Sequence, residues 1–468
     1  MLLYFDKTQP IELPDCFSVG FARQEVTPPI PYHNFSGHIA TEYHDPITAT
    51  VISLCDGEEV VLLCSIDVRA AEERLVTIFK NAAFEHFDIP KTHAILNATH
   101  NHNGPDVGCN YSETLEWFDK MKDVFPELIK ASLQDVTPAS AFGGKAYTQG
   151  LNFVRRYLLS DHTWEMNPTM ERMDDVIEAE SKADNEMRVI KFEREGKKPV
   201  CLVNWQCHAA SSHGTTLHSG CTSHLSTADY LHKFREGVEK EYDVLFSFHQ
   251  GAAGNIIGHH RFNELSRCRT EVRADEHPYE AHGRLLVPYV GEALQNMQPL
   301  KTGKLRVNHK DIFLPFKHID PQTLENAKTY WEAGGDRYSP ERLAMLEKFG
   351  LKHYECNSII IMSRLAPATG KECAFTAVSF GDIGIATSPF EMFDQNGKEV
   401  REASPYKMTF SLAYTDGMDN YLPSYWAFIH GSYEVYSCMF EPGTGEKCAD
   451  HLVHMLLDNY LLDHPAKK

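Results

Sequence analysis

β-Branched runs and stretches with helical spacing alternate along this whole chain, and no Pro/Gly/Ser-rich linker separates them. A chain patterned this way packs in layers, with sheets covered by helices. Ile47 to Leu54 and Val60 to Val68 flank Asp56-Gly57 and predict a hairpin, while Ala70 to Phe87 carries Leu75, Ile78, Phe79 and Ala82 at helical spacing. His93 to Thr99 reads as a short strand and Glu113 to Leu133 as a helix. Met187 to Phe192 and Pro199 to Gln206 read as a strand pair, Thr222 to Tyr242 as a helix, Val244 to His249 as a strand and Tyr279 to Met297 as a helix. Later strands are expected at Asn357 to Arg364, Ala374 to Phe380 and Ile383 to Thr387, with helices near 322–334, 340–349, 391–403 and 449–461. The fold class this predicts is α/β, mixed β-sheets with flanking helices. Arg156 to Asp184, polar and rich in Met and Glu, is expected to form a flap or a surface excursion. A length of 468 residues favours two or three domains; the missing linkers favour one unit, 1–468.

Charge removes two classes of partner. With 45 Lys plus Arg against 65 Asp plus Glu, the chain carries −20, a poor balance for neutralising phosphates or for resting on anionic lipid. Neither nucleic-acid binding nor stable membrane association is expected, and nowhere do the roughly 18 apolar residues of a membrane span run together. None of the twelve cysteines stands in C-x-x-C spacing, and several fall in apolar runs where a thiol packs as a small hydrophobe. The N-terminal residues lack the basic and apolar regions of a secretory signal, so free thiols in the cytoplasm are expected.

Twenty-five histidines are spread through the chain, several where a strand pattern has just ended. Loops at strand ends hold functional groups on a rigid scaffold. Thr99-His100-Asn101-His102-Asn103-Gly104-Pro105 is the sharpest case. His100 and His102 are expected to project to opposite faces, so that only one meets a given metal. Asn204-Trp205-Gln206-Cys207-His208 is a second strand ending on histidine. Phe248-His249-Gln250 opens onto Gly251-Ala252-Ala253-Gly254-Asn255, a small-residue loop whose backbone N–H groups would let a ligand approach closely. It is neither a dinucleotide fingerprint nor a P-loop. His259-His260 follow nearby. Thr387-Ser388-Pro389-Phe390-Glu391 is a strand, a proline turn and a glutamate that opens a helix, where a carboxylate complements the helix dipole or binds a metal. Asp416 to Ser424 is a polar turn carrying Tyr421. Each segment alone also reads as an ordinary loop or packing element.

Taken in order, these five segments resemble the catalytic domain of the neutral/alkaline (non-lysosomal) ceramidase family, from about Ser18 to about residue 435. The resemblance implies a zinc ion held by His100, His208, Glu391 and Tyr421, although the family's turn often has a second tyrosine where Met418 stands here. It also implies that His102 and Arg155 act on substrate, by proton transfer and oxyanion stabilisation. Two imidazoles, a carboxylate and a weak fourth oxygen suit Zn²⁺ and leave a position for water. Ligands running from residue 100 to residue 421 converge only if both ends of the chain build one catalytic unit. The activity implied is hydrolysis of a linear amide, or else an ester or sugar-linked amide, in a small soluble substrate by a metal-activated water.

Two departures stand out. Aligning Gly254 with the glycine of the family's G-D-x-S-P motif puts Asn255 at the aspartate and Ile257, which has no nucleophilic atom, at the serine. The family also carries a C-terminal immunoglobulin-like domain, and here only Leu422 to Lys468 follow Tyr421. Two other classes remain open at this stage. A two-histidine, one-carboxylate set also serves non-haem iron oxygenases and metal-dependent lyases or isomerases, and a binding protein could retain such a site without chemistry.

Overall fold

The computed structural model of the chain describes residues 1–210, 224–259, 265–365 and 367–465, with the side chains at 36 and 170 left aside. Its larger sheet contains β1 (Ser18–Glu25), β2 (Thr48–Cys55), β3 (Val60–Ile66), β4 (Ala94–Ala98), β5 (Thr137–Tyr147), β6 (Glu186–Arg194), β7 (Lys197–Trp205) and β8 (Leu245–Gln250). Their spatial order is β8-β7-β6-β5-β1-β2-β3-β4, with the short strand Gln298–Leu300 added against β5. The smaller sheet runs in the order β9 (Arg306–Pro315), β10 (Gly370–Phe380), β11 (Ile383–Thr387), β12 (Met408–Leu412). Among the described residues the α-helices of five residues or more are α1 (Glu73–Phe87), α2 (Ser112–Gln134), α3 (Tyr230–Tyr242), α4 (Pro278–Gln295), α5 (Pro321–Glu332), α6 (Pro340–Phe349), α7 (His353–Leu365), α8 (Asp394–Ala403), α9 (Tyr425–His430), α10 (Tyr433–Ser437) and α11 (Thr444–Asp463).

Alternation within single strands decides the layering. Both faces of β2 and β3 are buried, which is why their sequences are continuous apolar runs. Val51, Cys55, Leu62, Cys64 and Ile66 share a core with Phe79 of α1 and Phe118 and Phe125 of α2. The alternate residues Ile52, Leu54, Val61 and Leu63 join Val378, Phe380, Ile383, Ile385 and Phe410 of the smaller sheet. α11 and α8 cover the far side of that smaller sheet. The result is helix, sheet, sheet, helix, with each buried Leu, Ile, Val or Phe contributing about 1.5–3 kcal/mol. The predicted mixed α/β class is the observed one. The β2–β3 hairpin closes as expected through Asp56, whose Oδ1 accepts from the backbone N–H of Glu58 and Glu59 at 2.8 and 2.7 Å, with Gly57 at φ 93°.

Within these two sheets three neighbouring pairs are parallel: β3 with β4, β7 with β8, and β11 with β12. A parallel pair needs a crossover, and α1, α3 and α8 supply them in turn. The carboxyl ends of β4, β7, β11 and β12 each lead into one of the segments singled out above. In open α/β sheets that end is where ligands bind.

Three expected elements differ. Asn357 to Arg364 lies inside helix α7: a short apolar run is ambiguous by periodicity, and here Cys356, Ile359 and Ile360 are the buried positions of one helical face. The helix expected from Thr222 begins at Tyr230, capped by Asp229, whose side chain accepts from the Tyr230 N–H. Leu225–Ser226 forms a short strand beside Glu42–Tyr43, and residues 222 and 223 lie outside the described residues. Glu391 does not open α8: Glu391–Met392 pairs in parallel with Tyr421–Leu422 and the helix begins at Asp394, so the dipole explanation for that carboxylate falls away. Arg156 to Ala179 is a small sheet of three strands, Arg156–Leu159, Trp164–Met166 and Val176–Ala179. Among the described residues no two cysteines are joined, and no helix is long and apolar enough to cross a membrane.

Candidate metal centre

His100 stands two residues past β4 with φ 62°, a left-handed conformation that few side chains adopt and histidine tolerates better than most. The chain around it is pinned: Asn101 N–H donates to Val68 O at 3.2 Å, His102 N–H to Ala209 O at 3.0 Å, and the Asn101 side chain to Asp67 O and Thr227 O. The expectation of opposite faces is wrong: residues two positions apart share a face even on an extended segment, and here, with a left-handed turn at His100, the Nε2 atoms of His100 and His102 lie 3.1 Å apart.

His208 comes three residues after β7, on the same end of the sheet. Its Nδ1 faces Ala253 O at 2.8 Å and Ile256 O at 2.9 Å. The Nδ1 of His100 faces Arg69 O at 2.7 Å. A carbonyl only accepts, so both rings carry their proton on Nδ1 and turn a lone pair outward on Nε2. Burial, with Arg155 and His100 beside it, pulls His208 down to about 3, which keeps that ring neutral.

Glu391 Oε2 sits 3.4 Å from each of those Nε2 atoms. It is buried and has no hydrogen-bond donor. Two lone pairs and a carboxylate oxygen thus face one another in a buried pocket, an arrangement that repels itself unless a cation stands between. The separations match those of donors about a small divalent ion, since bonds of about 2.0–2.2 Å in tetrahedral array place ligand atoms about 3.4 Å apart. The half-buried His102 completes a group of three imidazoles, with His100 and His208, whose donor atoms all lie within 4.8 Å of one another. The residues present therefore fit a metal ion.

Arg155 lies beside this group. Its N–H donates to Asn255 O, its Nη2 donates to Tyr421 Oη at 2.9 Å and Gly254 O at 2.8 Å, and its Nη1 is 3.3 Å from His208 Nε2. Tyr421 is buried, tied to Glu391 by backbone pairing and to Arg155 by its hydroxyl. The small-residue loop lies behind the ligands. Gly251 N–H donates to Trp205 O and Gly254 N–H to Met392 O, Asn255 exchanges hydrogen bonds with Asp394, and Ala252 and Ala253 are buried in the core. His249 is buried against Ser247, away from the ligand group, and His260 lies outside the described residues.

Several residues at the site had no motif to announce them. Tyr414 stacks on His100 with ring centroids 4.2 Å apart and has a buried, unpartnered hydroxyl. Tyr433 packs its ring edge against Tyr421, and the buried Glu434 accepts from Arg155. For Tyr414 the turn after strand β12 was the available signal, and its inward direction depends on its φ of 53°; Tyr433 and Glu434 open helix α10 and had none.

No protein-family model matches the sequence, and no curated protein matches it. Solved structures do. The crystal structure of neutral ceramidase from Pseudomonas aeruginosa matches with a TM-score of 0.66 over 96% of this chain and 75% of that one, at 15% identity. A ceramidase complexed with C2 matches at the same TM-score and identity, over 98% of this chain and 77% of that one. At that identity the likeness is one of fold: the chain has a neutral-ceramidase-like architecture.

Proposed function

We propose that this chain is a zinc-dependent hydrolase that cleaves a linear amide in a soluble small molecule or a lipid or glycan conjugate. The observation that carries the reading is the meeting of two outward Nε2 lone pairs with the donorless Oε2 of Glu391. His100, His208 and Glu391 hold the ion, with Tyr421 as the fourth group. When bound there, zinc supplies Lewis acidity, polarising an amide carbonyl and bringing the pKa of a water towards neutrality.

This chain's own groups do the rest. Arg155 is permanently charged and anchored on three sides, so it meets the carbonyl oxygen as negative charge grows on it. His102, half-buried at the edge of the group, accepts a proton from the attacking water and returns it to the leaving nitrogen as the C–N bond breaks. Acid and amine leave together. Ile257 is buried and paired with Phe153, so on the alignment proposed above no hydroxyl replaces the water as nucleophile. The ligands come from both sheets, in keeping with one catalytic unit. A charge of −20 favours a substrate free in solution, which we place in the cytoplasm.

Zinc-loaded protein is incubated with a panel of N-acyl amines, amino acids and amino sugars, and products are read by mass spectrometry. Paired release of acid and amine by the wild type, lost in His208→Ala and Arg155→Met, is expected. Stoichiometric zinc with no cleavage of any amide would overturn the hydrolase reading in favour of a lyase or isomerase.

A further inference from the structure

An arginine is an odd neighbour for a metal ligand. Arg155 Nη1 stands 3.3 Å from His208 Nε2, the atom whose lone pair faces the proposed ion, so a divalent cation binds there against a fixed positive charge. The next residue brings a second. Arg156 is wholly buried.

Consecutive side chains on an extended strand point to opposite faces. Here both guanidinium groups reach one carboxylate. Glu434, 0% exposed, accepts from Arg155 Nε through Oε1 at 2.9 Å and from Arg156 Nη1 through Oε2 at 2.7 Å. Arg156 is neutralised again by Glu180, with bonds of 2.7 and 3.0 Å, and its Nη2 also donates to Gly431 O. Two cations and two carboxylates therefore cancel within the network, which leaves Glu391 as the uncompensated charge at the ligand group.

We propose that Glu434 is a positioning and charge-compensating residue of the metal centre: it fixes the plane of Arg155 and cancels the charge that would otherwise expel the ion from His208. This rests on the metal-centre reading above and extends it to a residue that touches neither metal nor substrate. Burial pushes the Glu434 carboxyl up, but Arg155 and Arg156 pull it further down, so it is ionised. A plain buried ion pair that only tied α10 to the strands would also destabilise the fold when cut. It would not alter metal affinity in the folded molecule, and removing Arg155 would not repair the damage.

The test is a double-variant cycle read by zinc affinity. Metal-free wild type, Glu434→Gln, Arg155→Met and the double variant are titrated with Zn²⁺ against a chromogenic chelator, and with Co²⁺ by visible absorption, after circular dichroism has shown each to be folded. Glu434→Gln should bind zinc about 10- to 100-fold more weakly, the range for lost partners of metal ligands. The double variant should return to within about threefold of Arg155→Met. Affinity of Glu434→Gln within about twofold of wild type, or a loss undiminished in the double variant, overturns the proposal. Should Glu434→Gln fail to fold, Arg155→Met decides: it should bind zinc more tightly than wild type, and weaker binding overturns the proposal. Wild type that takes up neither ion sinks the metal-centre reading itself, and this inference with it.

Discussion

Gly254 has no side chain because Glu391 is in the way: a Cβ there would lie 2.3 Å from the Glu391 carbonyl oxygen. Gly254→Ala therefore moves the ligand strand. Overpacking of this kind costs about 1–3 kcal/mol. We expect that loss in urea denaturation, together with weaker zinc binding in chelator competition; wild-type values for both would contradict the placement of Glu391. The glycine was legible as a site of close approach, but what approaches is the protein's own backbone rather than a ligand. His100 and His208 were legible because each ends a strand. The i, i+2 spacing should already have placed His102 beside His100; the meeting of His100 with His208 was not legible, since it rests on long-range pairing of the two strand ends, such as the bond from His102 N–H to Ala209 O.

At the scale of elements, the junction between the strand Glu42–Tyr43 and helix α3 holds a titratable group. Asp45 is raised by burial from its ordinary 3.8 to about 6, against the pull of its bonds from Thr227 Oγ1 and the Ala228 N–H. A carboxyl raised in the folded state binds its proton more tightly there. The stability linked to it is thus fully present below pH 3.8 and is lost as the pH rises through 6. Asp45→Asn has no such proton. The stability of wild type minus that of Asp45→Asn should fall between pH 4 and 7 by at most about 3 kcal/mol, less whatever solvent reaches the half-buried side chain. Denaturant titrations at several pH values measure it, and a difference that stays flat would contradict the assignment. Strands β2 and β3 were readable because burial on both faces writes itself as a largely apolar run. Helix α7 was not, because Ser358 to Met362 is equally apolar as a strand or as one helical face.

For the whole molecule, the proposed ion ties the larger sheet, through His100 and His208, to Glu391 beyond β11 of the smaller one. An ion that binds only the folded state stabilises it by about 2.7 kcal/mol at 100 times its dissociation constant. Adding a chelator should lower the thermal midpoint of wild type and leave that of His208→Ala unmoved; equal shifts in both would place the ion elsewhere. The central claim is most directly tested by elemental analysis of purified wild type, His100→Ala and His208→Ala, each shown folded by circular dichroism. One zinc per wild-type chain and none in either variant is the predicted result. Full metal retention in both variants would contradict it.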